Sequence, residues 1–330
     1  MGARVERGTA PLPLSLQGAA RTILLAGLLV AVALPFGLKG FVVFQLTMVL
    51  IYAIAIVGLN LLTGFNGQFS LGHGAFYALG AYTAAILMEH GGVPYVWTLP
   101  LAGGLCFVAG FLFGLPALRL EAIYLALATF ALAVATPQIL KLSLLEPWTG
   151  GSQGIVILKP DPPFGLPVSQ DQWLYFFTLA VALLLFWAAH NLVSSRTGRA
   201  MMAIRDNPIA ARSMGINTSL HKTLTFGLSA FYTGVAGALG AIVVQFVAPD
   251  SFGISLSIAL LVGLVVGGVG WIPGALFGGA FVLFVPNVAE HISKGLSGAA
   301  YGAILILLIY LMPSGMGGVV QLVKARLTRP

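Results

Sequence analysis

The segment from Ser195 to Lys222 reads SRTGRAMMAIRDNPIAARSMGINTSLHK and lies between two strongly apolar runs. It is polar and basic, and it contains residues that typically begin and end helices. Asn207 is suited to cap a helix that begins at Pro208, and Gly215 is suited to the left-handed position that ends one. The segment therefore predicts a short helix of about two turns within a polar loop.

The rest of the chain is apolar enough to lie in a membrane. Of its 330 residues, 58% are hydrophobic and 8% are charged, and the mean hydropathy is +0.99. Soluble domains carry about a quarter charged residues, so the composition excludes an ordinary soluble protein. The apolar runs are continuous rather than alternating, which favours helices over a β-barrel. We predict an all-α polytopic membrane helix bundle of about ten transmembrane helices, since each crossing needs about 20 apolar residues. The predicted spans are about 21–38, 40–63, 71–88, 95–118, 122–140, 172–193, 223–247, 254–271, 273–289 and 299–313.

Basic residues are distributed unevenly over the loops of this topology. With a cytoplasmic N-terminus, twelve of the 16 Lys and Arg residues fall inside and four fall outside, as the positive-inside rule expects. The cytoplasmic parts are then an N-terminal tail (1–20), the loop 195–222 and a C-terminal tail (314–330), whereas the loop 142–171 is outside. The whole chain, 1–330, is expected to form a single transmembrane domain. Basic inner loops also explain the net charge of +7 without a nucleic-acid partner.

The sequence lacks the patterns of common energy-coupling and enzymatic sites. Ionisable residues are nearly absent from the spans, which disfavours a carrier driven by protons or sodium. No lysine lies in a G-x-x-x-x-G-K-[ST] phosphate loop, and the histidines lack metal-ligand spacing. The single cysteine, Cys106, cannot form an internal disulfide. We expect no enzymatic activity, no cofactor and no metal site, and an energy source in other proteins.

One polar, Gly-rich interruption divides the apolar runs at about residues 58–74. Broken helices expose N–H and C=O groups that can line a solvated path, and a helix N-terminus can receive the carboxylate of a zwitterion. The alternative is that the glycines allow close helix packing while the amide side chains cap helix ends. The candidate pathway residues are Asn60, Asn66, Gln68, Ser70 and His73.

The predicted outer loop, 142–171, is unusually long. Loops of this length commonly have a function, so the loop is either a surface for an external partner or a plain connection. The outer face also carries six of the nine carboxylates, which suits a basic partner. The candidate docking residues are Gly150, Gly151, Ser152, Gln153 and Asp250.

An internal similarity links two distant segments. A shift of 205 residues aligns 57–76 with 262–281 and produces seven identities. Both segments would descend toward the cytoplasm, turn through a Gly-rich stretch and return. The similarity indicates either a parallel structural repeat or chance matching of two Gly- and Leu-rich helices.

Several motifs in one order resemble a known family. The run GLNLLTGFNGQFSLGHGAF, from Gly58 to Phe76, resembles the signature of the membrane permease subunits of branched-chain amino acid ABC importers. So do TGGSQG from Thr149 to Gly154, the segment from Ser195 to Asn217, and VVGGVG from Val265 to Gly270. The likeness extends from about Gly58 to Gly318. It is greatest to the longer of the two paired permeases.

This resemblance implies a complex in the bacterial inner membrane. Its members would be two permease subunits, two cytoplasmic ATP-binding subunits that carry the ATPase activity, and a periplasmic binding protein that delivers Leu, Ile or Val. Membrane lipid would surround the permeases. Related permeases that carry urea or short amides remain an alternative, as do a channel or secondary carrier and a structural subunit. By the same resemblance, the residues that couple the chain to an ATPase are Arg205, Asp206, Asn207, Pro208, Ala210, Ala211, Met214 and Gly215.

Overall fold

The computed structural model describes residues 26–27, 29–117, 122–165, 167–292, 297–312 and 315–318. Helices occupy each of the ten predicted spans, the first of them within 26–37. The predicted all-α bundle is therefore confirmed. The predicted tails, 1–20 and 314–330, lie outside the described residues except for 315–318.

The helices follow the chain with short connections. Helix α1 lies within 26–37. The others are α2 (Gly40–Leu59), α3 (His73–Glu89), α4 (Tyr95–Ala117), α5 (Ala122–Leu140), α6 (Glu146–Thr149), α7 (Gln170–Ser194), α8 (Arg196–Asp206), α9 (Pro208–Ser213), α10 (Thr218–Val244), α11 (Ile254–Gly267), α12 (Gly274–Ile292) and α13 (Ser297–Leu311).

Six of the described helical segments are long and apolar enough to cross a membrane. They are Gly40–Phe65, Tyr95–Pro116, Ile123–Leu140, Gln170–Ser194, Thr218–Val244 and Pro249–Gly267. The apolar part of α12, Gly274–Glu290, is shorter. Helix α3 has 17 residues, which is at the lower limit of about 17 for a crossing. The chain is thus a multi-pass membrane protein.

Helix α10 is the centre of the bundle. Of its most apolar 18-residue stretch, 83% is buried. The helix packs against α2, α3 and α4. Small residues bring the backbones together, since a Cβ added to Gly80 of α3 would lie 2.1 Å from the carbonyl oxygen of Gly234. In lipid, where apolar burial gives little drive for association, such close packing holds helices together. Helix α10 therefore fixes the positions of its three neighbours.

Helix α2 does not end in an ordinary turn. It continues into a π-helix, Asn60–Phe65, and the chain becomes helical again only at His73. Gly67 has a φ of 73°, and a Cβ there would lie 2.9 Å from Cγ of Arg205. We call residues 60–72 the break. Short π-helical segments are frequent at functional sites, so the break is a candidate moving part.

The two segments related by the shift of 205 residues have the same build. Each contains the end of a helix, a connecting turn and the start of the next helix. The first segment runs from α2 through the break into α3, and the second runs from α11 into α12. They also lie side by side, because Asn60 Oδ1 accepts from the Gly270 N–H at 2.8 Å. This arrangement supports the predicted repeat.

The bundle has two differently built ends. We call the end that carries α8 and α9 the basic end. The opposite end of α10, called the strand end, carries an antiparallel pair of strands, β1 (Ile155–Val156) and β2 (Phe246–Val247). Through this pair the long predicted loop docks on the end of α10. The described part of this loop therefore packs against the bundle at β1.

Candidate functional site

The short helix predicted in the basic loop is present as α9. Asn207 is its N-cap, and Asn207 Oδ1 accepts hydrogen bonds from the N–H groups of Ile209 at 3.1 Å and Ala210 at 3.0 Å. Gly215 follows the helix with a φ of 81°, which only glycine adopts readily. The predicted cap and the predicted left-handed glycine are both confirmed.

Helix α9 exposes apolar side chains. Ile209 is 77% exposed and Met214 is 84% exposed, and Pro208 and Ala210 beside them are exposed too. Exposed apolar side chains on a polar segment make it a candidate for contact with another protein. Ala211, in contrast, is 4% exposed and packs within the chain. Among the predicted coupling residues it is the one that an external partner does not reach directly.

Ile209 is absent from the set of coupling residues predicted from the sequence. Its side chain is 77% exposed on the outer face of α9, because the helix turns Ala211 toward the bundle. The sequence predicts a helix at residues 208–213, but it does not specify which face of that helix is buried.

Arg205 is partly exposed and contacts the break. Its Nη1 donates to the carbonyl oxygen of Gly64 at 2.8 Å. Its Nε and Nη2 both donate to Oδ1 of Asp206, at 3.0 and 2.9 Å. Asp206 thus holds the guanidinium in the orientation that reaches Gly64. Hydrogen bonds from a charged donor are stronger than neutral ones, so this contact ties the basic end firmly to the π-helix.

The π-helix is in turn tied to the turn between α11 and α12. Asn60 Nδ2 donates to the Trp271 carbonyl at 3.1 Å, and Asn60 Oδ1 accepts from the Gly270 N–H at 2.8 Å. A Cβ on Gly64 would lie 2.0 Å from Asn60 Oδ1 and 2.6 Å from Gly270 N. Arg205, the π-helix and the α11–α12 turn therefore form one continuous contact.

Gln68 binds the break to the start of α10. Its Nε2 donates to the Lys222 carbonyl at 3.0 Å, and its own carbonyl accepts from Thr63 Oγ1 at 2.9 Å. The side chain is 8% exposed. Gln68 thus fixes the second half of the break against the central helix.

His73 and Ser70 belong to a buried network that involves α10. Ser229 Oγ donates to the Gly58 carbonyl at 2.6 Å. Because a serine has a single hydroxyl proton, His73 Nε2 must be the donor in its 2.7 Å contact with Ser229 Oγ. His73 Nδ1 lies 3.2 Å from Ser70 Oγ. Both nitrogens of the imidazole therefore have a hydrogen-bond partner.

Asn66 differs from the other four candidate pathway residues. Its side chain is 2% exposed, and neither Oδ1 nor Nδ2 has a hydrogen-bond partner within the described chain. An unpaired buried amide costs about 1–3 kcal/mol. Of the five residues, Asn66 is therefore the one whose polar atoms are free to meet a water molecule or a solute.

The candidate docking residues come together at the strand end. Gly150 and Gly151 shape the turn with φ values of 69° and 55°. Ser152 and Gln153 are exposed in the 3-10 helix that follows, which contacts the 3-10 helix Pro249–Phe252. Asp250 lies in this second helix, with Oδ1 2.6 Å from Nζ of Lys141. The structure thus joins 150–153 and 250 into one surface.

The interior of the described bundle contains polar side chains but no charged ones. In the described ranges no Asp, Glu, Lys or Arg is buried, and no three His, Cys, Asp or Glu residues are placed to hold a metal ion. The interior instead contains hydrogen-bonded neutral polar groups around a broken helix. The described part of the chain is thus a polytopic membrane helix bundle with a broken helix in its interior and an exposed short helix at its basic end.

Sequence comparison identifies the family. The chain belongs to the family described as the permease component of branched-chain amino acid transport systems, whose model matches residues 41–312. No solved structure matches the chain.

Individual relatives agree with this family. The chain is 33% identical over 321 residues to the high-affinity branched-chain amino acid transport system permease protein LivM of Salmonella typhimurium, covering 90% of this chain and 74% of that protein. It is 32% identical, with the same coverage, to LivM of Escherichia coli. Identity to LivH of Salmonella typhimurium is 26% over 292 residues, covering 81% of this chain and 91% of that protein. The predicted resemblance to the longer of the two paired permeases is confirmed.

Proposed function

We propose that this chain is a permease subunit of a binding-protein-dependent ABC importer that carries Leu, Ile and Val across the bacterial inner membrane. Its partners are a second permease, two cytoplasmic ATP-binding subunits and a periplasmic solute-binding protein. Family membership and the transport systems named for the LivM and LivH relatives support this proposal. ATP hydrolysis belongs to the ATP-binding subunits, because the sequence has no phosphate-binding loop.

The observation that carries the proposal is the construction of the segment Arg205–Gly215. A helix that transmits force needs a surface for its partner and a firm connection to the bundle. Helix α9 has the surface in Ile209 and Met214, and Arg205 makes the connection through Gly64. We assign this segment to the contact with an ATP-binding subunit.

The same contacts suggest how movement enters the membrane region. A displacement of α8 moves Arg205 and therefore the π-helix, and Asn60 passes the movement to the α11–α12 turn. Gln68, Ser70 and His73 hold the remainder of the break against α10. We propose that the break is the moving part of the translocation pathway, with the Asn66 amide available to the solute.

The proposed topology places the basic end in the cytoplasm, with both termini, and the strand end in the periplasm. The test uses single cysteines at Ser219 and Ser152, both exposed, in a background lacking Cys106. A membrane-impermeant maleimide added to spheroplasts should label the cysteine at 152 and spare the one at 219. Labelling of both from outside would overturn the topology.

The function itself is tested in liposomes. The complex of both permeases and both ATP-binding subunits should import leucine when ATP is inside and liganded binding protein is outside. Uptake should persist with ionophores, since no ion gradient is proposed to drive it. Uptake that stops when the gradient collapses while ATP remains would contradict the proposal. Import of urea or short amides, without import of leucine, would replace its substrate.

A further inference from the structure

A cavity of about 200 Å³ lies toward the strand end of the bundle. Its walls come from α2, α3, the end of α10 and the start of α11, and its rim includes Val244 and Phe246, which are 43% and 47% exposed. The volume far exceeds the roughly 10–15 Å³ that one water needs. It is smaller than the roughly 300–1,000 Å³ typical of sites for drug-sized ligands. The cavity therefore suits a small solute.

The side chains of the walls are apolar except at a few hydroxyl groups. Met48, Phe252 and Leu256 provide aliphatic and aromatic surface. The described lining includes no charged side chain. The carboxylate and ammonium groups of an amino acid would lose their hydration there, so the hydroxyl groups of the walls must replace it.

Two tyrosine hydroxyls in this cavity have no hydrogen-bond partner among the described residues. Tyr77 is 5% exposed, and its hydroxyl lies against Gly240, where an added Cβ would be 2.1 Å away. Tyr52 lines the same cavity. Neither hydroxyl makes a hydrogen bond to another described residue. Buried tyrosine hydroxyls normally find a partner, as that of Tyr232 does at the Leu185 carbonyl, 2.9 Å away.

We infer that this cavity binds an aliphatic amino acid as it enters the membrane region. The apolar walls receive the branched side chain, and the hydroxyls of Tyr52 and Tyr77 bind its carboxylate and ammonium groups. This inference rests on the proposed function and adds a site to it. The site lies on the strand side of the layer formed by His73, Ser229 and Gly58, so a solute arriving from that end meets the cavity before the break.

A photoactivatable diazirine analogue of leucine tests the site directly. The full complex is illuminated during import, and labelled peptides are mapped by mass spectrometry. Label should appear on Met48, Phe252 or Leu256, and excess valine should remove it. Label that valine does not displace would identify a groove for lipid acyl chains, and label confined to other segments would place the solute elsewhere. Either result would overturn the inference.

Two variants test the chemistry of the cavity. Tyr77→Phe keeps the ring and removes one hydrogen bond, so leucine uptake efficiency should fall about fivefold. The matched control is Tyr175→Phe, which removes a hydroxyl bonded to the Ala31 carbonyl on α1 and should leave uptake unchanged. Leu256→Ala enlarges the cavity and should raise uptake of phenylalanine relative to valine about tenfold. ATPase activity stimulated by the binding protein should remain in all three.

The outcomes separate this inference from the function on which it rests. If the wild-type complex does not import leucine, the proposed function fails and the site fails with it. If the wild type imports leucine but both cavity variants keep its rate and selectivity, only the cavity assignment fails. Tyr77→Phe preserves the packing of α3 against α10, so it decides the matter even if Leu256→Ala does not fold.

Discussion

The break and α9 use the same kinds of residues in opposite ways. In the break, Asn60 reaches across to a turn 210 residues away, and most of the polar side chains face inward to partners in the chain. In α9, Asn207 binds its own helix two and three residues along, and apolar side chains face outward. Buried polar groups therefore hold this bundle together, whereas exposed apolar groups at its end form the proposed docking surface.

The largest expected effect concerns the packing of the break. Gly64→Ala would place a Cβ 2.6 Å from the backbone nitrogen of Gly270 and 2.0 Å from Asn60 Oδ1. We expect a loss of stability of about 3 kcal/mol, typical of overpacking, measured as a lower thermal unfolding midpoint in detergent. Gly104→Ala is the matched control, because nothing lies within 4 Å of a Cβ there. Equal midpoints for the two variants would mean that the break is loosely packed.

The next largest effect is expected for Arg205. It separates the docking of the ATP-binding subunits from the transmission of their movement to the break. Arg205→Gln removes the charged hydrogen bond to Gly64, worth about 1.5–3 kcal/mol, but leaves Ile209 and Met214 in place. Leucine uptake should fall about tenfold while the ATP-binding subunits still co-purify. Arg205→Lys keeps the charge but cannot bind Asp206 and Gly64 together, so it should restore little. Loss of co-purification with Arg205→Gln would instead make Arg205 part of the docking surface.

Local features of the coupling segment could be predicted from sequence, but its long-range contacts could not. The Asn207 cap and the Gly215 terminator depend on residues within a few positions, and ten apolar runs identify ten helices. The bond from Arg205 to Gly64 joins residues 141 apart, and that from Asn60 to Trp271 joins residues 211 apart. Such contacts depend on how helices pack around α10, which periodicity does not specify.

The candidate pathway shows the same limit more sharply. Polar residue types in an apolar run correctly marked the break, but residue type alone did not distinguish a side chain bonded within the chain from a free one. Gln68 and His73 are bonded, whereas Asn66 is not. The buried face of α9 was also undetermined, because Ala211 and Ala210 are the same residue type.

A smaller effect is expected for the cap of α9. Asn207→Ala removes two hydrogen bonds at the helix start, a loss of about 1 kcal/mol. The helix should still form on docking, so uptake should fall about fivefold rather than vanish. Asn207→Asp, which can still cap, should retain most of the activity. Identical losses in the two variants would assign Asn207 to direct contact with the partner.

The smallest effect is expected from the exposed charges of α8. Changing Arg196 and Arg199 together to Gln removes two cations at the proposed membrane surface, each worth about 1 kcal/mol of lipid attraction. Because the membrane-spanning helices already hold the chain, leucine uptake should change less than twofold, in contrast to Arg205→Gln. A severe loss would show that the segment acts as an electrostatic anchor and not as a coupling helix.

The central claim is that α9 docks on an ATP-binding subunit. Its most direct test compares Ile209 and Ala211 of α9 by co-purification with the ATP-binding subunits. Ile209 is 77% exposed and Ala211 is 4% exposed. Ile209→Glu should abolish co-purification while the permease keeps its wild-type unfolding midpoint, because the charge meets only the partner. Ala211→Glu should lower the midpoint itself, because the charge enters the chain's own packing. If Ile209→Glu co-purifies normally, α9 is not the docking helix and the account fails.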